Sequence, residues 1–461
     1  MIQLSFHGAA GMVTGSKYLL RTNDASLLID SGMFQGPGRI RQFNWDPLPF
    51  DAGTVSAVAL THTHIDHIGS LPRLVKEGFS GPAYCTVPTA DLASISLLDA
   101  AHLQEEDAEY RNRKKLTHHE VALPLFTSDD AEQAINQMNP TPFDSWVSVG
   151  DHLKFRFHRA GHILGAAGVE VAVSESGRDV TIMFSGDVGR YGNPLVVDPE
   201  SPPPCDYLVC ESTYGGRLHG DEDPKAVLTE LINDAIARKS VLLIPAFAVS
   251  RTQQITYLIN GLIREKRIPP IDVHIDSPMA ISVTDVYCKH HAYHEIDIKQ
   301  IGGAGCILEG KNVYLHRKRK SSKLLNKLKG PAIIMSASGM LTGGRILHHL
   351  INRLPDPSTT VALAGYMAEG TLGRRLADGE TEVRIHKQVI PVKAKVVSMH
   401  GLSGHADYLE LMRWLEPLKD APRKVFVTHG ELSQSEAMAQ RLITEKKWPC
   451  HIPEMHEVAE L

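Results

Sequence analysis

The 461-residue chain has little cysteine, and none of it is paired in the sequence. Cys85, Cys205, Cys210, Cys288, Cys306 and Cys450 are scattered, with no CxxC spacing. A cysteine-based zinc site is thereby excluded, and a disulfide framework is not expected. No stretch approaches 18 consecutive apolar residues, so a helical membrane span is not expected. The opening MIQLSFHGAAGMVTG lacks a basic segment ahead of an apolar one, the mark of a secretory signal. These absences together point to the cytoplasm. There is no excess of positive charge either: 48 Lys plus Arg face 53 Asp plus Glu, a net charge of −5. Phosphate binders usually show a basic footprint, so this balance counts weakly against a nucleic-acid partner.

What is present is histidine. With 24 His and no cysteine motif, any metal must be held by imidazoles and carboxylates. The densest cluster is Thr61-His62-Thr63-His64-Ile65-Asp66-His67, which follows an apolar run at 55–60. It therefore reads as a loop at the C-terminal end of a strand. Alternate spacing sends His62 and His64 to one side of an extended segment, and Asp66 and His67 can turn towards a second ion. Other metal-ligating types also stand where apolar runs end: Asp30 after 27–29, His162 after 153–157, and Asp187 after 180–184.

The periodicity changes along the chain. Short alternating strands broken by glycine fill the first 60 residues, a helical pattern covers about 91–115, and strands return between 153 and 210. After Glu211 the runs at 240–244, 271–275, 331–335 and 359–364 are mainly apolar, and helical patterns separate them. Such alternation predicts a parallel, doubly wound α/β unit, placed at 212–385. Strand-rich sequence then resumes at 383–397, followed by a strand at 424–428 and a helix at 432–445.

The order Asp30, HxHxDH at 62–67, His162 and Asp187 resembles the metallo-β-lactamase fold hydrolases. Glu211 in CESTYG, His405 in SGHAD and His429 in VTHGE resemble the three further motifs of the β-CASP nucleases. That group includes the endonuclease of eukaryotic pre-mRNA 3′-end cleavage and bacterial RNase J. The resemblance implies an α/β fold: an αββα sandwich, residues 1–211 and 386–461, interrupted by a Rossmann-like β-CASP cap domain at 212–385. It implies two Zn2+ ions, one on His62, His64 and His162, the other on Asp66, His67 and His429, with Asp187 between them. Asp30 would orient a ligand histidine. Two such ions would share a hydroxide and clamp phosphate oxygens. His405 would protonate the departing O3′, held by Glu211, so that Asp66, Asp187, Glu211 and His405 carry the chemistry.

The activity implied is a zinc-dependent endoribonuclease acting on single-stranded RNA and leaving 3′-hydroxyl and 5′-phosphate ends. Two alternatives are a thioester or lactone hydrolase of the same metal fold, and a non-catalytic RNA-processing scaffold. Only 32 residues follow His429, too few for the C-terminal domain of RNase J, so a stand-alone endonuclease without a membrane partner is expected. Association as a homodimer is left open. In the cap region, Ser336, Ser338 and Gly339 in SASGM resemble a loop facing RNA, as does Arg251 in VSRTQ. Each is also readable as ordinary helix capping, as is Ser277. Residues 311–329 hold eight Lys or Arg and no acid, which leaves −13 on the remainder of the chain. They are either a phosphate-binding face or a solvated one.

Overall fold

A computed structural model describes residues 2–116, 120–175, 177–296, 306, 310–365, 367 and 370–461. The chain forms two compact units, 1–218 with 404–461, and 219–403. In the first unit the strands are β1 (Gln3–Phe6), β2 (Tyr18–Arg21), β3 (Ser26–Ile29), β4 (Ala57–Ala59), β5 (Ala83–Thr86), β6 (Met138–Thr141), β7 (Val147–Val149), β8 (Leu153–Arg159), β9 (Ala167–Glu175), β10 (Arg178–Phe184) and β11 (Tyr207–Glu211). The second unit carries β12 (Val241–Pro245), β13 (Asp272–Ile275), β14 (Val313–Leu315), β15 (Ala332–Ser336), β16 (Thr360–Ala364), β17 (Glu382–Ile385), β18 (Gln388–Pro391) and β19 (Lys395–Met399). The first unit resumes with β20 (Lys424–Thr428), β21 (Cys450–His451) and β22 (Val458–Glu460).

The first unit is two seven-stranded sheets, ordered β22-β1-β2-β3-β4-β5-β6 and β21-β20-β11-β10-β9-β8-β7. Alternation along each strand decides which side chains meet. Leu20, Leu27 and Ile29 point inward, against Phe155, Phe157, Ile182, Phe184 and Phe426 of the facing sheet. Their neighbours Leu19 and Leu28 point outward, where Leu71, Leu74, Ala93 and Leu97 cover them. Met183, Leu208, Val425 and Val427 on the other sheet are covered likewise by Leu411, Trp414, Met438 and Leu442. A one-residue slip in register would exchange these faces, so the two cores fix the pairing. The result is an αββα sandwich.

The second unit has a six-stranded parallel sheet, β14-β13-β15-β12-β16-β19, and a separate β17-β18 hairpin. Helices cover both faces. Leu242, Ile244, Ile333 and Met335 pack on Leu228, Ile232, Ile255 and Ile259, while Leu243, Ile334, Val361 and Leu363 pack on Ile346, Leu350 and Leu354. Burial on both faces explains why these strands are mainly apolar.

Two expectations need correction. The second unit ends at 403 rather than 385, because β19 pairs in parallel with β16 through Thr360–Lys395 to Ala364–Met399. The cysteines are not all free: Cys288, in the helix Pro278–Lys289, is bonded to Cys306 with the Cα atoms 5.0 Å apart. No helix among the described residues is long and apolar enough to cross a membrane.

Candidate metal centre

The metal-ligating side chains reach one edge of the sandwich because each follows the C-terminal end of a strand. Asp30 follows β3, His62 and His64 follow β4, His162 follows β8, Asp187 follows β10, and His429 follows β20. Glu211 is the last residue of β11. Asp66 and His67 sit on a short helix, Ile65–Ile68, that turns them away from the extended His62–His64 stretch. Glycine makes one close approach possible. A Cβ on Gly189 would lie 1.8 Å from the Gly161 carbonyl oxygen, so only glycine lets the His162 loop pack there.

Four donor atoms converge first. His64 Nδ1 lies 3.1 Å from His62 Nε2 and 3.2 Å from His162 Nε2. Asp187 Oδ2 lies 3.4 Å from His62 Nε2 and 3.7 Å from His162 Nε2. A tetrahedral zinc site with bonds of about 2.0–2.1 Å requires donor atoms about 3.3 Å apart, which this set matches. A second group lies on the other side of Asp187. His67 Nε2 is 3.0 Å from His429 Nε2, and Asp66 Oδ2 is 3.7 Å from the same His429 nitrogen. Asp187 Oδ1 faces this group, 3.3 Å from His67 Nε2 and 3.4 Å from His429 Nδ1. That oxygen is buried and makes no hydrogen bond among the described residues, as suits an atom reserved for a cation.

The other ring nitrogens of His67, His62 and His429 are held. His67 Nδ1 donates to Asp30 Oδ2 at 2.7 Å. Asp30 also accepts from the Thr61 amide at 2.8 Å and the Thr61 hydroxyl at 2.9 Å. Thr61 Oγ1 lies 3.1 Å from His62 Nδ1, and Thr213 Oγ1 lies 3.2 Å from His429 Nδ1. Such contacts fix the tautomer that leaves Nε2 bare. Thr61 and Thr213 were not singled out from sequence. Their signal was adjacency alone, beside His62 and two residues after Glu211.

Burial sets the charge states. It holds His62 and His162 well below the ordinary imidazole value and His64 at about 4, so these rings stay neutral with lone pairs available. Burial also opposes charge on Asp66 and Asp187, but the surrounding histidines outweigh it. Asp66 sits at about 2 and Asp187 well below the carboxylate range. For His67, Asp187 and Asp30 overcome burial and push it upward.

His405 and Glu211 adjoin this centre. His405 Nδ1 is 3.4 Å from Glu211 Oε1 and 4.0 Å from Asp187 Oδ2. Glu211 is buried, and its carboxylate accepts from the Val188 amide at 2.7 Å and the Thr213 amide at 3.1 Å. The His405 side chain is 21% exposed, against 1% for Glu211, so it is the open member of the pair. Burial disfavours its charge, but Glu211, then Asp187 and Asp66, raise it to about 9.

The residues suggested for phosphate lie in the second unit. Ser336 is buried and donates its hydroxyl to the Asp276 carbonyl at 2.9 Å, so that hydroxyl is not free for phosphate. Ser338 Oγ accepts from the Thr342 amide at 3.0 Å, inside a turn that precedes the helix Arg345–Arg353. A Cβ on Gly339 would lie 2.7 Å from the Phe247 ring. Arg251 opens the helix Arg251–Arg264 and donates to Gln254 Oε1 at 2.6 Å. Ser277 caps the next helix, accepting from the Ala280 amide.

Comparison with known proteins places these parts. Residues 11–234 match the metallo-beta-lactamase superfamily, 252–376 the Beta-Casp domain, and 389–453 the Zn-dependent metallo-hydrolase RNA specificity domain. Ribonuclease TTHA0252 of Thermus thermophilus is 36% identical over 442 residues, covering 94% of both chains. An RNase J-like protein of Methanocaldococcus jannaschii is 30% identical over 457 residues, covering 98% of both. A crystal structure of an Enterococcus faecalis protein of unknown function shares the fold over the whole of both chains, with a TM-score of 0.57 at 13% identity. With the donor atoms gathered at the strand ends and a doubly wound unit inserted into the sandwich, the chain belongs to the β-CASP family of metallo-β-lactamase fold hydrolases.

Proposed function

We propose that this protein is a zinc-dependent endoribonuclease that hydrolyses single-stranded RNA to 3′-hydroxyl and 5′-phosphate ends. The observation that carries the reading is Asp187, with Oδ2 beside His62 and His162 and Oδ1 beside His67 and His429. One carboxylate so placed suits two cations. His62, His64 and His162 would hold one, and Asp66, His67 and His429 the other. Bound there, the cations supply Lewis-acid charge against phosphate oxygens and a nucleophile at neutral pH. RNA as the substrate is supported by the relatives named as ribonucleases.

The remaining chemistry belongs to the protein's own groups. When the P–O3′ bond breaks, the O3′ of the leaving strand departs as an alkoxide, which needs a proton. His405 is partly open, adjoins the centre, and rests on a buried carboxylate fixed by two backbone amides. Glu211 positions the ring, and the nitrogen not facing Glu211, Nε2, presents the proton. Arg251, Ser338 and Gly339, at the carboxyl ends of β12 and β15, would receive the backbone of the RNA.

End-labelled RNA incubated with wild type and with His405→Ala tests the assignment. Loss of a general acid lowers the rate about 10²–10⁴-fold. Equal rates would remove His405 from that role. Metal analysis should find about two zinc ions per chain. A metal-free protein that binds RNA without cutting it would instead be a scaffold.

A further inference from the structure

The second unit carries a dense field of positive charge that the metal centre does not use. All eight Lys and Arg of 311–329 are exposed. Arg317 pairs with Asp285 at 2.8 Å. Lys311, Lys318, Arg319, Lys320, Lys323, Lys327 and Lys329 make no ion pair with a described residue. Elsewhere several arginines take an acid four residues away: Arg73–Glu77, Arg111–Asp107, Arg238–Asp234, Arg374–Asp378 and Arg441–Glu445.

The backbone under these charges is firmly held. Asp276, fully buried at the end of β13, accepts from Ser322 at 2.6 Å, Arg345 at 2.7 Å and His349 at 2.7 Å. Arg345 also donates to the carbonyls of His316 at 2.7 Å and Arg317 at 2.8 Å. Arg353 donates to the carbonyls of Leu325 at 2.6 Å and Leu328 at 3.1 Å. Leu325 is buried in the core. The stretch is thus ordered by buried groups, while its cations project into water. Like charges displayed in a fixed array are unfavourable unless an anion meets them.

Its place in the fold points to the anion. The segment leaves β14, which stands two strands from β15 in the parallel sheet, so it begins about 10 Å along the same carboxyl edge as the Ser338 turn. Tyr314, 45% exposed, adds an aromatic face at this edge. Cations interleaved with an aromatic suit single-stranded nucleic acid without sequence preference.

We propose that Lys318, Arg319, Lys320 and Lys323, with their basic neighbours, form a second binding surface for the RNA backbone, engaging chains too long to be held at the metal centre alone. This rests on the RNA-cleaving reading above. The test replaces Lys318, Arg319, Lys320 and Lys323 together by Ser. Binding of non-cleavable single-stranded RNAs of about 6 and about 30 nucleotides is followed across a salt titration. Each phosphate that is no longer neutralised lowers the slope of log K against log salt by about 0.7, so the long RNA should lose up to about 3 units of slope. Its affinity should fall more than about tenfold at low salt, with less than about a twofold change for the short one. Thermal melting checks that the variant is folded. An unchanged slope and affinity for the long RNA overturns the proposal and leaves the surface for an acidic protein. Equal losses for both lengths overturn it as well. A wild-type protein that binds long RNA through these residues yet cuts none would sink the nuclease reading and leave this one standing.

Discussion

Replacing Asp30 by Asn tests whether the carboxylate beneath His67 prepares the centre for metal. Asp30 Oδ2 accepts from His67 Nδ1 at 2.7 Å and from the Thr61 hydroxyl at 2.9 Å, and Oδ1 accepts from the Thr61 amide at 2.8 Å. Asn keeps the shape, and its carbonyl oxygen can retain the Thr61 amide. Its NH2 group only donates, so the His67 proton and the Thr61 hydroxyl lose their acceptor. The backbone at residue 30 has φ +60°, a conformation that Asn visits as readily as Asp, so the change adds no backbone strain. His67 then loses both its fixed tautomer and the negative charge that makes Nε2 a better donor. Removing such a partner costs tenfold to hundredfold in metal affinity, about 1.4–2.7 kcal/mol. The fold loses about 1–3 kcal/mol for the buried groups left unpaired, a modest part of the 5–15 kcal/mol typical of a domain. Competition with a chromophoric chelator reads the affinity, and melting of the metal-free protein reads the fold. One of two ions per chain should weaken by the stated factor, while the ion on His62, His64 and His162 is largely retained. A folded Asp30→Asn protein that holds both ions within about twofold of wild type would refute the argument.

Three further outcomes follow from other parts of the structure. Glu211→Gln keeps an acceptor for Val188 or Thr213 but removes the charge facing His405, so kcat should fall about 10–100-fold with KM little changed; steady-state cleavage reads this, and an unchanged kcat counts against the pairing. Asp276→Ala strips Arg345, His349 and Ser322 of their shared acceptor, and urea unfolding of the second unit should show a loss of about 3–5 kcal/mol; a loss under about 1 kcal/mol would mean that the network is not needed for stability. Cys288→Ser opens a loop closed across 18 residues, so unfolding without reductant should lose about 3 kcal/mol, and the difference should vanish when wild type is reduced; equal stability without reductant would show that the bond does not form.

The cluster of donor side chains is legible because most of its residues obey a simple rule: Asp30, His62, His162, Asp187 and His429 stand just past apolar runs, and the sandwich gathers those ends. HxHxDH placed three histidines and one carboxylate within six residues, and the order of Asp30, His162, Asp187, Glu211, His405 and His429 carried the family resemblance. The rest depended on packing. Ser336 looks like a phosphate contact in SASGM, yet it is the last residue of β15 and points into the sheet. β17 buries Val383 and Ile385 and exposes Glu382 and Arg384, much as β8 of the sandwich alternates over Leu153–Phe157, so nothing local distinguishes this strand of the second unit from that one of the first. Period two reports that one face is covered, and not by which sheet. The Cys288–Cys306 bond joins residues whose spacing matches no motif, and only the folded chain brings them together.

A net charge of −5 first counted against a polyanionic partner, and the structure shows why that total misleads. Charges act over about 8 Å at physiological salt, so what an RNA meets is a local field and not a sum over 461 residues. Several of the acids are nearly buried at the centre: Asp30, Asp187 and Glu211 are each 1–2% exposed. Asp30 is matched to His67, Asp187 is surrounded by histidines, and Glu211 is tied to backbone amides and His405. Some acids elsewhere pair with arginines one helical turn away, as Glu77, Asp107 and Asp234 do. The segment 311–329 is the reverse case, with cations exposed and the buried groups spent on holding its backbone. The local charge therefore reverses the inference from composition: the exposed charge of this segment is positive, and it lies on the sheet edge that holds the Arg251 and Ser338 positions.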